Sequence, residues 1–154
     1  MTISEINSVV SEIHIAAPPE VVFAYFVDPD KMARWFGSRV RLEPRSGGQY
    51  AADINAQARA RGEYLEVVPP SRVVFTFGWE DDQNIPPGST TVEVTLARDV
   101  NGTHVRLVHR GLQTHEMREQ HRDGWEHYLA RLSVAAAGGD PGPDPNANPP
   151  QEGA

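Results

Sequence analysis

The sequence predicts a single α+β domain in which a curved antiparallel sheet of seven strands wraps around a long C-terminal helix, with two short helices after the first strand. Three observations carry this prediction. Residues 39–109 alternate apolar and polar side chains in short runs separated by Gly, Pro and Asn, the period of half-buried strands. After Gly111 the period changes to that of an amphipathic helix. Between the first alternating run and the remaining strands stand two apolar clusters, each introduced by proline.

The first strand is read from Val9 to Ile15. Ala17-Pro18-Pro19-Glu20 then opens a helix, because a first-turn proline removes an N–H that has no intrahelical partner. Val22, Phe23, Phe26 and Val27 recur at helical spacing. Asp28-Pro29 repeats the signal as N-cap and first helical residue, followed by Met32, Trp35 and Phe36, with Gly37 placed to end the turn. Strands follow around Val40 and Leu42, over Gln49–Ile54, over Arg61–Val68 and over Arg72–Trp79, where Val73, Phe75, Phe77 and Trp79 share one face. Glu80–Ser89 is the longest internal loop. Val92, Val94 and Leu96 face inward on the next strand, and Asn101-Gly102 reads as a type I′ hairpin that returns through Val105, Leu107 and His109. Met117, His121, Trp125, Tyr128, Leu129 and Leu132 line one face of a helix over Thr114–Ala137. Residues 1–137 are therefore the domain. Residues 138–154, rich in Pro and Gly and nearly without apolar side chains, read as a disordered tail.

A domain of 154 residues builds its core without staples, and the absence of cysteine removes disulfides, thiolate nucleophiles and Cys-based zinc sites. The net charge of −7, with Lys31 as the only lysine and no basic cluster, argues against a nucleic-acid partner. No run approaches the ~20 apolar residues of a membrane span. Met1–Val10 has no signal-peptide pattern, so a cytoplasmic location is expected. His115, His121 and His127 stand six apart, a turn of roughly 240° per step, and so point in three directions; no metal site and no cofactor are expected.

Several segments resemble the SRPBCC/START-like superfamily, and within it the homologues of the activator of the heat-shock-protein-90 ATPase. They are Ile15 to Phe23, Asp28 to Phe36, Gly47-Gly48, Gly62 to Pro70 leading into Arg72 to Phe77, and Gly124 to Leu132. In family order they cover about residues 8–137. The resemblance implies a helix-grip fold, like that of START domains and the birch-pollen allergen, with a cavity between sheet and helix. It also implies three kinds of function: binding a small hydrophobic molecule, as in lipid carriers and plant hormone-binding proteins; cyclase or dehydratase chemistry; or a chaperone-activator role in protein interaction and stress response.

One fold hosts all three, so the site must decide. The leading expectation is reversible binding of a small hydrophobic or aromatic molecule. Candidate ligand-binding residues are Trp35, Phe36, Tyr50, Tyr64, Phe77, Trp79, Leu107, His109, Met117 and His121. His109 has inward parity on its strand, and His121 lies one turn beyond Met117, so the two imidazoles are expected to approach across the cavity, as a proton-handling or ligand-orienting pair or as histidines hydrogen-bonded at the cavity rim with no catalytic task. In a wider aromatic set that also holds Phe75, Trp125 and Tyr128, Tyr64 and Trp79 are favoured for the pocket because their polar tips need partners if buried, whereas Phe75 and Trp125 read as ordinary core. Gly124 is read as a close-approach position between helix and sheet. No nucleophile triad or phosphate loop is present, no catalytic residue is assigned, and whether the protein is an enzyme is left open, as is a homodimer.

Overall fold

The computed structural model describes residues 7–147. Strand β1 (Ser8–Ile15) leads into helix α1 (Pro19–Val27) and the single turn α2 (Pro29–Met32). Six strands follow: β2 (Arg39–Leu42), β3 (Gln49–Asp53), β4 (Arg59–Val68), β5 (Arg72–Trp79), β6 (Thr90–Asp99) and β7 (Gly102–Arg110). Helix α3 (His115–Ala136) ends the fold. The strands form one antiparallel sheet in the order β1-β7-β6-β5-β4-β3-β2, so β1 crosses to pair with β7 and every other pair is a local hairpin. This is the predicted helix-grip architecture.

Local chemistry explains the boundaries. The Asp28 carboxylate caps α2 by accepting from the backbone N–H of Asp30 and Lys31, and the Thr114 hydroxyl caps α3 by accepting from Met117. The second short helix is briefer than its apolar spacing suggested. The chain tightens after Met32 and turns out at Gly37, whose φ of 89° favours glycine.

The last hairpin also differs from its sequence signal. Asp99 pairs with Gly102, so Val100 and Asn101 occupy the loop, and only Asn101 has a left-handed φ (65°). A type I′ turn at this register would drive β-branched Val100 to positive φ, which is sterically costly. Gly102 is required for another reason: a Cβ there would stand 2.0 Å from the Ile15 carbonyl oxygen.

The concave face of the sheet carries the core. Phe75, Phe77, Val92, Val94, Val105 and Leu107 are at most 1% exposed, and α3 covers them with Trp125, Leu129 and Leu132. A register shift between Tyr64 and Glu66 sends Tyr64 inward and Glu66 out to Arg72 at 3.1 Å.

Residues 138–147, read from sequence as the start of a disordered tail, pack back on the body. Arg34 donates to the Gly139 carbonyl, Arg131 to that of Pro141, and Asn55 to that of Asn146. The docking uses backbone carbonyls and one carboxylate, which leave no hydrophobic periodicity in the sequence. Residues 148–154 lie outside the described residues.

Candidate functional site

A cavity of about 430 Å³ lies between the sheet and α3, near the ends of β4 and β5. Phe77 and Trp79 of β5 form one wall, His121, Gly124, Trp125 and Tyr128 of α3 the opposite one, and Phe36 stands between them. Ile54, Asn55 and Ala58 of the β3–β4 connection, Gln120 of α3 and Asn146 of the C-terminal segment complete the lining. The aromatic wall is continuous. Phe36 stacks on Trp125 with ring centroids 5.7 Å apart and meets Tyr128 edge-on at 4.9 Å, while Phe77 meets Trp79 edge-on at 5.2 Å.

Behind this wall runs a hydrogen-bond chain whose direction can be assigned. The Thr90 hydroxyl has one proton, and the Phe77 carbonyl at 2.6 Å, having only lone pairs, takes it. Thr90 Oγ1 therefore accepts from His109 Nε2 at 2.8 Å. His109 Nδ1 is left with its lone pair and accepts the indole N–H of Trp125 at 3.0 Å. The chain reads Trp125 to His109 to Thr90 to Phe77, every donor matched to one acceptor, with His109 neutral. Burial, and next the proximity of His121, push its pKa down to about 3.

His121 is satisfied by the same logic. Its Nδ1 donates to the Met117 carbonyl at 2.8 Å, so its Nε2 accepts the indole N–H of Trp79 at 3.2 Å. Its pKa is also lowered, chiefly by burial, against the opposing pull of the Met117 carbonyl and Asp82.

Of the sequence candidates, Phe36, Phe77, Trp79 and His121 line the cavity together. His109 meets His121 as expected but stands behind the wall, 0% exposed. Trp35 donates to the Tyr25 carbonyl, Tyr64 donates to that of Phe26, Tyr50 stacks on Phe75, and Leu107 is fully buried; all four are core. Met117 packs beside Val9, Ile85 and Leu112 in a separate small cluster.

The sequence reading left out Ile54, Asn55, Ala58, Gln120, Gly124 and Asn146, took Trp125 for core, and named Tyr128 only within the wider aromatic set. A signal for three of them existed: His121, Gly124, Trp125 and Tyr128 are spaced i, i+3, i+4, i+7, one face of a helix. Gly124 is not a close-approach glycine, since a Cβ there would meet nothing within 4 Å. It leaves the cavity wall open.

The C-terminal segment is pinned beside the cavity. Asp144 accepts from the Tyr128 hydroxyl at 2.8 Å and meets His127 Nε2 at 3.1 Å. Its pKa is lowered: burial would raise it, but the Asn146 N–H, Tyr128, His127 and Arg131 together outweigh that. Among the described residues no group of three or more His, Asp or Glu side chains could hold a metal ion, and no helix is long and apolar enough to cross a membrane.

Residues 16–137 match the family described as Activator of Hsp90 ATPase homolog 1-like protein. Among solved structures, an AHSA1-like protein of Rhizobium etli is 46% identical over 90% of this chain and 86% of its own, with a TM-score of 0.72. A Chromobacterium violaceum protein is 28% identical over 90% of this chain and 99% of its own, with a TM-score of 0.74. The Aha1 dimer of Colwellia psychrerythraea, at 19% identity over 86% of this chain and 97% of its own, shares the fold with a TM-score of 0.75. No curated protein matches the chain.

Proposed function

The chain belongs to the family of activator of Hsp90 ATPase homolog 1-like proteins, and we propose that this member reversibly binds a small, mainly apolar molecule with a flat ring in the cavity between β5 and α3. The observation that carries the proposal is the cavity itself: about 430 Å³, within the ordinary range for small-molecule sites, walled by Phe36, Phe77, Trp79, Trp125 and Tyr128. Enclosing ~200 Å² of apolar ligand surface contributes about 5 kcal/mol before ordering costs, so tight binding needs polar contacts as well.

Binding is favoured over turnover because the two histidines are already satisfied inside the protein. Each is held as a neutral ring with one nitrogen donating and the other accepting. A ring in that state has neither a spare lone pair to take a substrate proton nor a spare N–H to give one.

The test is native mass spectrometry of freshly purified protein beside the Gly124→Phe variant, with 2-naphthol titration of both. The new ring projects into space where no atom lies within 4 Å of the Cβ. The variant should fold, lose any co-purifying mass and bind 2-naphthol at least tenfold more weakly. Equal binding by both proteins would place the ligand elsewhere and sink the reading.

A further inference from the structure

The cavity has one chemical property its aromatic wall does not explain: none of its lining residues is Asp, Glu, Lys or Arg. Its mouth carries three side-chain amides instead, Asn55 from the β3–β4 connection, Gln120 from α3 and Asn146 from the C-terminal segment. Each of these amides already makes a hydrogen bond within the protein. Asn55 Oδ1 accepts from the backbone N–H of Gln57 at 2.8 Å and of Ala58 at 2.7 Å, and its Nδ2 donates to the Asn146 carbonyl. Gln120 reaches back to Glu116 at 3.5 Å, the long limit of a hydrogen bond.

Asn146 is held by its backbone, and its side chain makes one long hydrogen bond. Its carbonyl accepts from Asn55 at 2.8 Å and its N–H donates to Asp144 Oδ1 at 3.0 Å. Asp144 is the anchor, its side chain only 9% exposed and gripped by Tyr128 and His127 of α3. The Asn146 amide itself reaches only the Tyr128 hydroxyl, at 3.4 Å. A segment merely resting on the surface would not need a nearly enclosed carboxylate to fix one amide at a cavity mouth.

We propose that Asn146, held in place by the segment 140–147, is part of the ligand site and determines its specificity, closing with Gln120 and Asn55 an uncharged amide mouth that accepts a neutral ligand with a hydrogen-bonding end and disfavours an anionic one. The inference rests on the cavity-binding reading above. An anion entering here would leave water with no cation in the cavity lining, and Arg59, beside Ala58, is already paired with Glu80 and Asp81. Asp82 acts on His121 in the cavity wall, and Asp144 lies behind Tyr128. Arg131 is engaged by the carbonyls of Trp35 and Pro141. A neutral ligand with a hydroxyl or carbonyl at one end buries its ring against Trp79 and Trp125 and keeps its polar end at the amides.

The experiment compares two probes that share a ring and differ in charge near neutral pH, 2-naphthol and 2-naphthoate, by calorimetric titration of the full-length chain. The unmodified protein should bind 2-naphthol at least tenfold more tightly. Asn146→Lys, a change at an exposed position, should raise 2-naphthoate affinity about tenfold and leave the melting temperature unchanged. Gln120→Lys, approaching from the helix side, should do the same. If Gln120→Lys improves 2-naphthoate binding and Asn146→Lys does not, the C-terminal segment is not part of the site and the proposal fails. Equal affinity of the unmodified protein for both probes also overturns it, while cavity binding stands. If neither probe binds the unmodified protein, both readings fall together.

Discussion

The rings of His109 and His121 meet edge to face with centroids 5.1 Å apart, yet no hydrogen bond joins them. Each is tied to a different indole: His109 accepts from Trp125 at 3.0 Å and His121 from Trp79 at 3.2 Å. Both tryptophans line the cavity, so the histidines are the polar backing that leaves neither indole N–H unsatisfied. A pair that resembles proton-transfer machinery in sequence thus positions an apolar wall.

This arrangement makes stability depend on pH. His109 titrates at about 3 in the folded protein, against an ordinary value of 6.5. A group whose folded pKa is lowered contributes fully above its unfolded value, and that contribution is lost as pH falls toward the folded one. Between about pH 6.5 and 4 the unfolded chain takes up a proton that the folded chain refuses, for a loss on the order of 3 kcal/mol. Urea titrations across that range should show a steeper decline for the unmodified protein than for His109→Asn. Parallel declines would show that His109 is not held neutral.

Thr90 is the hinge of the same chain, donating to Phe77 while accepting from His109. Thr90→Val keeps the shape but leaves the His109 N–H and the Phe77 carbonyl without their partner, and should cost about 1–3 kcal/mol in a urea titration. Thr90→Ser restores the hydroxyl and should recover most of that loss.

Gly124 is the reverse case. Glycine inside α3 is unfavourable, and no neighbour requires it. Gly124→Ala should therefore raise stability by about 1 kcal/mol, seen as a higher denaturation midpoint at unchanged slope. A loss of stability would mean that the helix approaches the sheet more closely than the structure records.

The C-terminal segment should be released by acid. Asp144 has a lowered pKa, so its hold is complete above the ordinary carboxylate value of 3.8 and is lost as pH falls through the lower folded one. At neutral pH, Asp144→Asn should mimic part of that release. Amide exchange at Asn146, whose N–H donates to Asp144, should then quicken about tenfold. Unchanged exchange would show that another contact holds the segment.

The fold was legible because it is written in local patterns. Period two in Val73, Phe75 and Phe77, the cap at Asp28, and period 3.6 from Met117 to Leu132 each depend on neighbours a few residues apart. Inward parity likewise brought His109 to the face of His121. The site was only partly legible, because parity says which way a side chain points and not whether packing leaves space beside it. Tyr50, Tyr64, Trp35 and Leu107 point inward and are packed over, while Trp125, with the same signature, faces the cavity. Space beside Trp125 goes with Gly124, where a Cβ would meet nothing within 4 Å. The course of residues 138–147 was beyond the sequence for another reason. Its anchor is one carboxylate meeting a tyrosine and a histidine of α3, and a contact of that kind leaves no periodic trace. Sequence alone determined the order, period and caps of the elements, since those forces act over a few residues. Only the tertiary structure decided which aromatic rings border empty space and which polar atoms are already spoken for, because cavities and hydrogen-bond chains arise from residues that meet only when the sheet closes on the helix.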